Sequence, residues 1–504
     1  MAIKKYIATK DNTITNGYGL NLSTRKTGSN MGAADIVEVY SIYGQNTTSS
    51  VELSRALIQF PISDISSDRT DGVVPASGSV NFFLRLFNAR HSEQLPRDYT
   101  FNVMAVSQSW EEGYGLDMET YLDETGPMGD NIQGSSWMTA SQGTAWYKSG
   151  GDYHSSSYTS GSTMPNYTYT FSDGDEDVLL DVTDAVEEWI AGNQSNYGFG
   201  IFLTASHEGY ISNSSGLDDD EILHNPDGSQ KSFYTKRFFS RSSEFFFKRP
   251  SIEARWDSKV TDDRGAFYAS SSIAPSADNL NNLYLYNYIR GRLVDIPSSE
   301  TLTVSLYSSS AGAPVDSALA TATATKTSTG VYKAQISVNT TASILNDIWS
   351  GSVGGEYKTG SISMLSFNSD SVLLSDDYSQ FTTKITNLKS KYKSDETARF
   401  RVFTRPRNFS PTIYTVASKE IQNTIISSAS FEIVRVIDNE TIINNSTGST
   451  TQHTYLSYDN SGSYFDLDMA LLEPGYMYGV KLLFYSSQGW REQEEVFNFR
   501  VENS

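Results

Sequence analysis

Two pairs of adjacent glutamates are the most direct candidates for chemistry. Glu111–Glu112 follows Trp110, and Glu187–Glu188 precedes Trp189. Hydrolysis of a glycosidic bond uses two carboxyl groups held at a fixed separation across a cleft. The second pair, however, falls on the polar side of a predicted amphipathic helix, where a charged side chain is usually solvated. We therefore expect a solvated surface there, and no enzyme activity.

A short acidic run offers ligands for a metal ion. Asp173, Asp175 and Asp177 alternate along the chain, and carboxylate oxygens are ligands that Ca²⁺ prefers. Val178 occupies the sixth position, where an EF-hand loop needs glycine. The sequence therefore predicts a structural calcium site at most, and a solvated acidic loop is the alternative. A second acidic run, Asp218–Glu221, has the same alternative.

Histidine, cysteine and glycine patterns exclude several kinds of site. The five histidines share no metal-ligand spacing such as His-Glu-x-x-His: His91, His154, His207, His224 and His453. The chain has no cysteine, which excludes disulfides, thiol catalysis and iron–sulfur clusters. Gly351–Gly355 lacks the Lys-Ser/Thr end of a phosphate-binding loop. We expect no catalytic residue, and no cofactor beyond the possible calcium.

The charge of the chain limits its partners. Its formal net charge is −21, whereas binding to nucleic acid needs clustered Lys and Arg that neutralise phosphates. Residues 1–257 hold 18 Lys and Arg against 34 Asp and Glu, and residues 258–504 hold 20 against 25. The apolar runs are too short to span a bilayer. We expect no nucleic-acid partner and no membrane insertion.

Aromatic residues suggest contacts with other proteins, because interfaces are enriched in aromatic residues and arginine. Tyr284, Tyr286 and Tyr288 alternate, so a single strand would place them on one face. We predict these tyrosines as interface candidates. The Phe-rich stretch Phe233–Phe247 is interpreted mainly as two sandwich strands joined by a turn, with a protein contact as the alternative.

Four arginines in the last part of the chain predict a basic edge: Arg399, Arg401, Arg405 and Arg407. An acidic neighbour, such as the first module of another copy, would complement this edge. Charge reversal at these positions with unchanged assembly would contradict the prediction.

Strand patterns dominate the chain. Leu302–Leu306 and Tyr332–Val338 alternate apolar and polar residues, and Gly, Ser, Asn and Asp separate such segments. Many short strands at such intervals indicate β-sandwiches. Asp181–Gly192 is the clear exception, because its apolar residues recur at helical spacing. Ala342–Trp349 is predicted as a second, weaker helix.

Changes in charge and polarity divide the chain into three predicted modules. The first covers residues 1–257, and the polar segment Asp257–Asp263 is predicted to be a linker. The second module covers residues 264–367. The third covers residues 368–504, and the polar stretch Asn368–Asp377 is predicted as the boundary between the second and third modules.

An ordered set of segments carries a family resemblance in the first module: Ser54–Ile62, Ala76–Phe87, Val103–Gly113, Asp181–Ile201 and Phe239–Ile252. In this order the segments resemble the DNRLRE-type β-sandwich family. The resemblance implies a jelly roll of carbohydrate-binding-module type, a fold that serves attachment and adhesion in many contexts. Long insertions at Asp117–Thr170 and Gly209–Phe233 depart from the family pattern.

The whole chain also resembles structural proteins of tailed-bacteriophage virions, through features such as Met1–Ala8 and Tyr392–Val402. The resemblance implies an all-β fold, with an N-terminal jelly roll containing one short amphipathic helix and two immunoglobulin-like modules after it.

This second resemblance implies a function in the neck, tail or baseplate of a virion, where the protein could attach fibres. Its expected partners are other virion proteins and copies of itself. It would be assembled in the bacterial cytoplasm, which the lack of cysteine fits. The alternative is an adhesin whose first module recognises host surface glycans.

Overall fold

The computed structural model describes these residues: 2–43, 51–90, 96–118, 134–211, 225–231, 233–308, 317–353, 355–364, 381–407, 409–410, 413, 423–446, 452–486 and 489–504. They lie mostly in β-strands, so the expectation of a mainly β protein is confirmed. Ile3–Trp256 forms one compact unit, and Asp257–Ser504 belongs to a second. No helix in the described ranges is both long and apolar enough to cross a membrane.

The described part of the first unit contains strands β1 to β13 and helices α1 and α2. The strands are β1 (Ile3–Ile7), β2 (Lys10–Thr15), β3 (Ile36–Tyr43), β4 (Val51–Gln59), β5 (Asn81–Leu86), β6 (Tyr99–Ala105), β7 (Thr139–Ser141), β8 (Thr144–Ala145), β9 (Asn166–Phe171), β10 (Val178–Asp181), β11 (Phe199–Leu203), β12 (Phe233–Phe239) and β13 (Ser251–Arg255). The helices are α1 (Ile62–Thr70) and α2 (Thr183–Ile190).

Two main sheets build the first unit. One has the strand order β1-β13-β5-β10, and the other has the order β12-β3-β4-β11-β6-β9 with β2 paired to β4. Phe82, Leu84 and Leu86 of β5 are buried and alternate with partly exposed residues, as expected for a strand with one face in the core. Strands β7 and β8 form a separate small hairpin.

The predicted helix at Asp181–Gly192 is present as α2. Ala185, Val186 and Trp189 are buried on one side, and Gly192 has a φ of 73°, the left-handed conformation in which glycine commonly ends a helix. Because α1 is also present, the prediction of one short helix in the first module is wrong. Only Ile62 and Ile65 of α1 are buried, so its sequence lacks a long apolar stripe.

The second unit begins with a two-sheet sandwich built from β14 to β22. The strands are β14 (Asn281–Tyr286), β15 (Tyr288–Ile289), β16 (Arg292–Leu293), β17 (Leu302–Tyr307), β18 (Ala320–Thr323), β19 (Thr325–Ser328), β20 (Val331–Ile336), β21 (Ile344–Gly351) and β22 (Glu356–Ser363). The sheets have the orders β14-β20-β19 and β18-β17-β21-β22. Leu283 and Ile336 from one sheet share a core with Val304 and Trp349 from the other.

The helix predicted at Ala342–Trp349 is wrong, because this segment forms β21. Leu345, Asp347 and Trp349 are buried at a spacing of two residues, whereas Ile344 is exposed. Strand β21 pairs with both β17 and β22, and these hydrogen bonds outweigh a weak helical spacing of apolar residues.

The alternation of tyrosines from Tyr284 to Tyr288 does not continue along one strand. Strand β14 ends at Tyr286, and Tyr288 starts the short hairpin of β15 and β16. Arg290 and Gly291 at the hairpin tip both have positive φ, as a tight two-residue turn requires. Tyr288 therefore lies outside the face of β14.

A second sandwich in the same unit contains β23 to β32. The strands are β23 (Phe381–Ile385), β24 (Lys391–Lys393), β25 (Thr397–Pro406), β26 (Ala429–Arg435), β27 (Glu440–Ile443), β28 (Ser457–Asp459), β29 (Gly462–Asp468), β30 (Met477–Ser486), β31 (Gly489–Glu492) and β32 (Phe497–Glu502). The sheets have the orders β23-β25-β29-β28 and β24-β32-β30-β26-β27, with β31 on β30. Phe431 of one sheet stacks on Phe465 of the other, with ring centroids 4.2 Å apart.

The division between the two compact units falls between Trp256 and Asp257. The other predicted module boundary, Asn368–Asp377, lies outside the described residues. The three-module boundaries of the sequence therefore stay predictions.

Candidate functional site

The acidic loop after β9 is organised around one glutamate. The Glu176 carboxylate accepts hydrogen bonds of 2.7 Å from the backbone N–H groups of residues 172–174. Burial opposes ionisation, but these N–H groups hold the pKa of Glu176 below its usual range. Asp177 pairs with Arg85 at 3.2 Å and accepts the backbone N–H of Asn88 at 2.8 Å.

Lys236 provides the positive charge at this loop. Its Nζ donates to the carbonyl oxygens of Gly174 and Glu176, at 2.9 and 2.8 Å, and to Oδ1 of Asn88 at 2.8 Å. The side chain is 1% exposed, and burial lowers the pKa of Lys236 to about 8. Oxygen atoms of the loop thus surround an internal ammonium group.

The structure does not assemble Asp173, Asp175 and Asp177 into one metal site. Asp173 and Asp175 are exposed, whereas Asp177 is engaged with Arg85. In the described parts of the chain, no group of three His, Cys, Asp or Glu residues is placed to hold a metal ion. The acidic run Asp218–Glu221 lies outside the described residues.

Two of the candidate glutamates form ion pairs inside the first unit. The Arg241 guanidinium contacts both carboxylate oxygens of Glu112, which also accepts the backbone N–H of Asp11 at 2.8 Å. Arg69 of α1 binds both oxygens of Glu187 at 2.6 and 2.7 Å and so joins the two helices. Both carboxylates are therefore engaged in ion pairs with arginine.

Glu188 is buried, so the expectation of a solvated carboxylate is wrong at this position. It is 4% exposed and accepts the backbone N–H of Gly161 and the side-chain amide of Asn193, both at 2.8 Å. The loop that contains Gly161 covers this face of α2. Glu188 therefore fixes a loop to the helix.

The described histidines share no site. Nδ1 of His207 lies 2.7 Å from the Thr204 hydroxyl, His154 is half-buried, and His453 is buried near β28. His91 and His224 lie outside the described residues.

The Phe-rich stretch divides into core and rim. Phe238 is fully buried and packs edge-on against Phe101, whereas Phe245 and Phe246 are about half exposed after the strand ends. The guanidinium of Arg249 lies 5.4 Å from the centre of the Phe246 ring. The side chains of residues 233–235 lie outside the described part of the structure.

The segment predicted to be a linker instead adds to the sheet that contains β28. The backbone N–H of Asp262 donates to the carbonyl oxygen of Tyr458 at 3.0 Å, and the N–H of Tyr458 donates to that of Val260 at 2.9 Å. Thr261 and Tyr458 form a parallel β-bridge. We call this contact, residues 257–263 with β28 and β29, the joint.

Asp263 connects the two sandwiches through this joint. Its carboxylate accepts the Tyr458 hydroxyl at 2.8 Å and the backbone N–H of Asn282 at 2.7 Å. Burial raises the pKa of Asp263, and it raises the pKa of the adjacent Asp262 to about 6 although Arg264 opposes this shift.

Several of the predicted interface residues meet at the joint around Tyr464. The guanidinium groups of Arg399 and Arg401 lie 4.3 and 4.7 Å from the centre of the Tyr464 ring. Burial, with Tyr464 as a further cause, raises the pKa of Tyr286 above its usual range, and the rings of Tyr284 and Tyr286 stack with centroids 6.3 Å apart. The two sequence patterns, on β14 and β25, thus converge within one chain.

The same residues are satisfied internally. Arg399 binds both oxygens of Asp466 at 2.7 and 2.9 Å, and Arg401 binds Asp459 at 2.6 Å. Tyr284 is only 3% exposed. These contacts occupy the residues within the chain, and their contact with another chain stays a prediction.

The remaining interface candidates lie elsewhere. Tyr288 is well exposed on its hairpin. The Arg405 guanidinium lies 5.3 Å from the centre of the Phe409 ring, and Arg407 pairs with Glu494 at 3.2 Å. Their role as an interface also stays a prediction.

Sequence patterns missed the other residues that build the joint. Tyr464, Tyr458 and Asp263 are single polar or aromatic residues that acquire partners only in three dimensions.

No known protein family matches this chain, and no curated protein is similar to it. Solved structures with some similarity include a tandem of titin immunoglobulin domains, at 11% identity over 45% of this chain and 84% of that chain, with a TM-score of 0.14. The adhesin InvE of Yersinia pseudotuberculosis is 10% identical over 44% of this chain and 54% of that one, with a TM-score of 0.15. The BSP domain of a biofilm-associated protein is 8% identical over 100% and 90%, with a TM-score of 0.16. Likenesses this low carry no functional argument.

Proposed function

We propose that this protein is a non-enzymatic structural component of a tailed-phage virion, in the neck, tail or baseplate region, and that it works by protein–protein assembly. The observation that carries the proposal is the joint, where the Asp263 carboxylate binds both Tyr458 and Asn282 and so holds two sandwiches together. A pre-organised pair of modules presents its surfaces to a neighbour without a large ordering cost on binding.

The contacts that the acidic residues make in the structure support the non-enzymatic part of the proposal. Glu112 and Glu187 are paired with arginines, and Glu188 fixes a loop. Each of these carboxylates thus has a structural partner that stabilises a scaffold.

The finer architecture belongs to the same proposal. The first unit is a jelly roll of DNRLRE type, and the second unit contains two immunoglobulin-like modules. Two multi-stranded antiparallel sheets in the first unit and two face-to-face sandwiches in the second support this assignment. The protein would be assembled in the host cytoplasm and then reside in the virion.

Co-purification tests the assembly role. The tagged full chain should retain a portal, tail or baseplate subunit from phage-infected cells, and purified virions should contain the chain at fixed stoichiometry. Absence from virions would contradict the proposal. Cleavage of a glycan that depends on Glu112 would contradict its non-enzymatic part.

An adhesin that binds host glycans is a second candidate. The aromatic cluster that favours it lies in the second unit and not in the first module, where the sequence predicted glycan recognition. Trp490 of β31 lies beside Tyr455 and Tyr485, with ring centroids 5.5 Å apart in both pairs, and Tyr485 is about half exposed. Exposed aromatic faces can pack against the apolar C–H faces of sugars, while the Tyr hydroxyl and Trp N–H make polar contacts.

Glycan binding distinguishes this second function. The full chain should bind an immobilised host glycan, and Trp490→Ala should abolish binding. Tyr147→Ala, at a well exposed tyrosine of the first unit, should leave it unchanged. No binding, or equal binding by both variants, would contradict the adhesin role of this cluster.

A further inference from the structure

Strand β9 is an unprotected sheet edge. It ends the order β12-β3-β4-β11-β6-β9, and within the described residues its backbone is hydrogen-bonded to β6 alone. Its sequence, Asn-Tyr-Thr-Tyr-Thr-Phe, contains no charge, no proline and no glycine. An edge strand with free N–H and C=O groups and no protecting charge is a template for another strand.

The other edges of the first unit carry the charges that β9 lacks. Strand β1 contains Lys4 and Lys5, and β10 ends with Asp181, whereas β12 is hydrogen-bonded to residues 87 and 89 and is not an open edge. Charged residues on an edge oppose pairing with a further strand. The contrast within one unit marks β9 as the edge suited to association.

We infer that β9 is a self-association edge, which pairs antiparallel with β9 of a second copy about a two-fold axis at Thr168. Side chains of directly opposed residues must lie on the same face, so an axis through a residue keeps the exposed face continuous. An axis at Thr168 places Asn166 opposite Thr170 and Tyr167 opposite Tyr169. The inference deepens the proposed assembly role and rests on it for its biological meaning.

The resulting cross-strand pairs are favourable ones. Thr–Thr and aromatic pairs stabilise neighbouring strands, whereas like charges oppose pairing. The exposed face of the sheet already contains one such Thr–Thr pair, because the hydroxyl oxygens of Thr100 on β6 and Thr170 on β9 lie 3.0 Å apart. A second copy of β9 would extend the same polar row.

Charge selects the antiparallel arrangement for a chain of net charge −21. The acidic loop starts at Asp173, five residues beyond Thr168, or about 17 Å at a strand rise of about 3.4 Å per residue. An antiparallel pair therefore separates the two loops by about 34 Å, several times the Debye length of about 8 Å at physiological salt. A parallel pair would bring the loops together.

Single cysteines test the register directly, because the natural chain has no cysteine. Opposed Cα atoms in antiparallel strands lie about 4.5–5.5 Å apart, within the range of about 4.4–6.8 Å that a disulfide accepts. Under mild oxidation, Thr168→Cys should form a covalent dimer. Asn166→Cys and Thr170→Cys should each stay monomeric alone but should cross-link when the two proteins are mixed.

Asn102→Cys is the matched control. Asn102 pairs with Thr168 from the inner strand β6 on the same face, so its copy-to-copy distance is too long for a disulfide. In sedimentation without oxidant, the natural chain should dimerise reversibly at high concentration, and Thr168→Lys should shift the midpoint at least tenfold.

Three outcomes would overturn the inference: cross-linking of Thr168→Cys no faster than Asn102→Cys, equal cross-linking by all four single variants, or cross-linking only to a different protein. Circular dichroism verifies that each variant is folded. Capture of virion subunits by a chain that fails the cysteine test would reject the strand pairing and leave the proposed function standing.

Discussion

Arg264 and Asp347 form a two-pronged ion pair inside the second unit. Nη1 lies 2.7 Å from Oδ1 and Nη2 lies 2.6 Å from Oδ2, and the Asp347 side chain is fully buried. Trp349 Nε1 adds a third hydrogen bond at 2.8 Å. Burial disfavours the charged carboxylate, but Arg264 more than offsets this and lowers the pKa of Asp347. The pair anchors the chain after the joint to β21.

Removing the Asp347 carboxylate should strongly destabilise the second unit. Asp347→Ala leaves a buried guanidinium without its partner, which typically costs about 3–5 kcal/mol. Asp295→Ala, which breaks an exposed pair with Lys326, should cost far less. Urea denaturation followed by tryptophan fluorescence measures both, and similar small losses would contradict the argument.

The buried Asp262 should make stability depend on pH. Its folded-state pKa of about 6 lies above the ordinary value of 3.8, so the folded chain binds this proton more tightly between those values. The stability contributed by the neutral carboxyl is present below pH 4 and is lost as the pH rises through about 6.

Asp262→Asn removes this loss while keeping an oxygen that can accept the Arg264 backbone N–H. The variant should gain on the order of 2 kcal/mol over the natural chain between pH 4 and pH 7. The exposed Asp278→Asn variant should show no such pH-dependent gain. Parallel stability curves for the natural chain and Asp262→Asn would show that the carboxyl titrates normally.

Lys236 should be required for stability where calcium is not. Lys236→Met leaves two carbonyl oxygens and the Asn88 amide oxygen without their donor, which should cost about 3 kcal/mol. Lys148→Met, on the exposed surface, should have little effect.

Metal addition and removal complete this test. Millimolar Ca²⁺ or a chelator should leave the Tm of the natural chain unchanged, and Ca²⁺ should not rescue Lys236→Met. If Ca²⁺ raised the Tm and Asp173→Asn abolished this rise, the loop would be shown to bind calcium.

Tyr464→Ala should loosen the joint without unfolding either sandwich. The substitution removes the interaction of the buried Tyr464 with Tyr286 across the joint, together with two contacts to partly exposed arginines that are worth about 0.5–1 kcal/mol each. Hydrogen exchange at the amides of Asp262 and Tyr458 should accelerate roughly 5- to 30-fold. The control Tyr485→Ala, at an exposed position, should not change the exchange of these amides. Unchanged exchange in Tyr464→Ala would show that the joint does not depend on the Tyr464 ring.

Local sequence patterns predicted the strands and the helix whose apolar residues all lie on one face. Alternation identified strands such as Leu302–Tyr307, and helical spacing identified α2. The same reasoning failed at Ala342–Trp349, where apolar residues fit both periods and the pairing of β21 with two neighbours decides. It also missed α1, which has too few apolar residues to show a stripe.

The contacts of the joint could not be predicted, because each joins residues distant in the chain. The sequence did identify Tyr286, Arg399 and Arg401 as unusual surface residues, but it could not show that they meet around Tyr464. The alternating acids suggested calcium for the same reason. No local pattern shows that Lys236, from the distant strand β12, supplies a positive charge at this loop.

The parallel bridge between Thr261 and Tyr458 has a mechanical consequence. Tension transmitted along the backbone through Asp257 reaches this segment before it reaches the core of either sandwich. The hydrogen bonds of Val260 and Asp262 to Tyr458 would then bear the load together and would yield before the sheets behind them. Under tension, the segment would therefore extend before either sandwich unfolds.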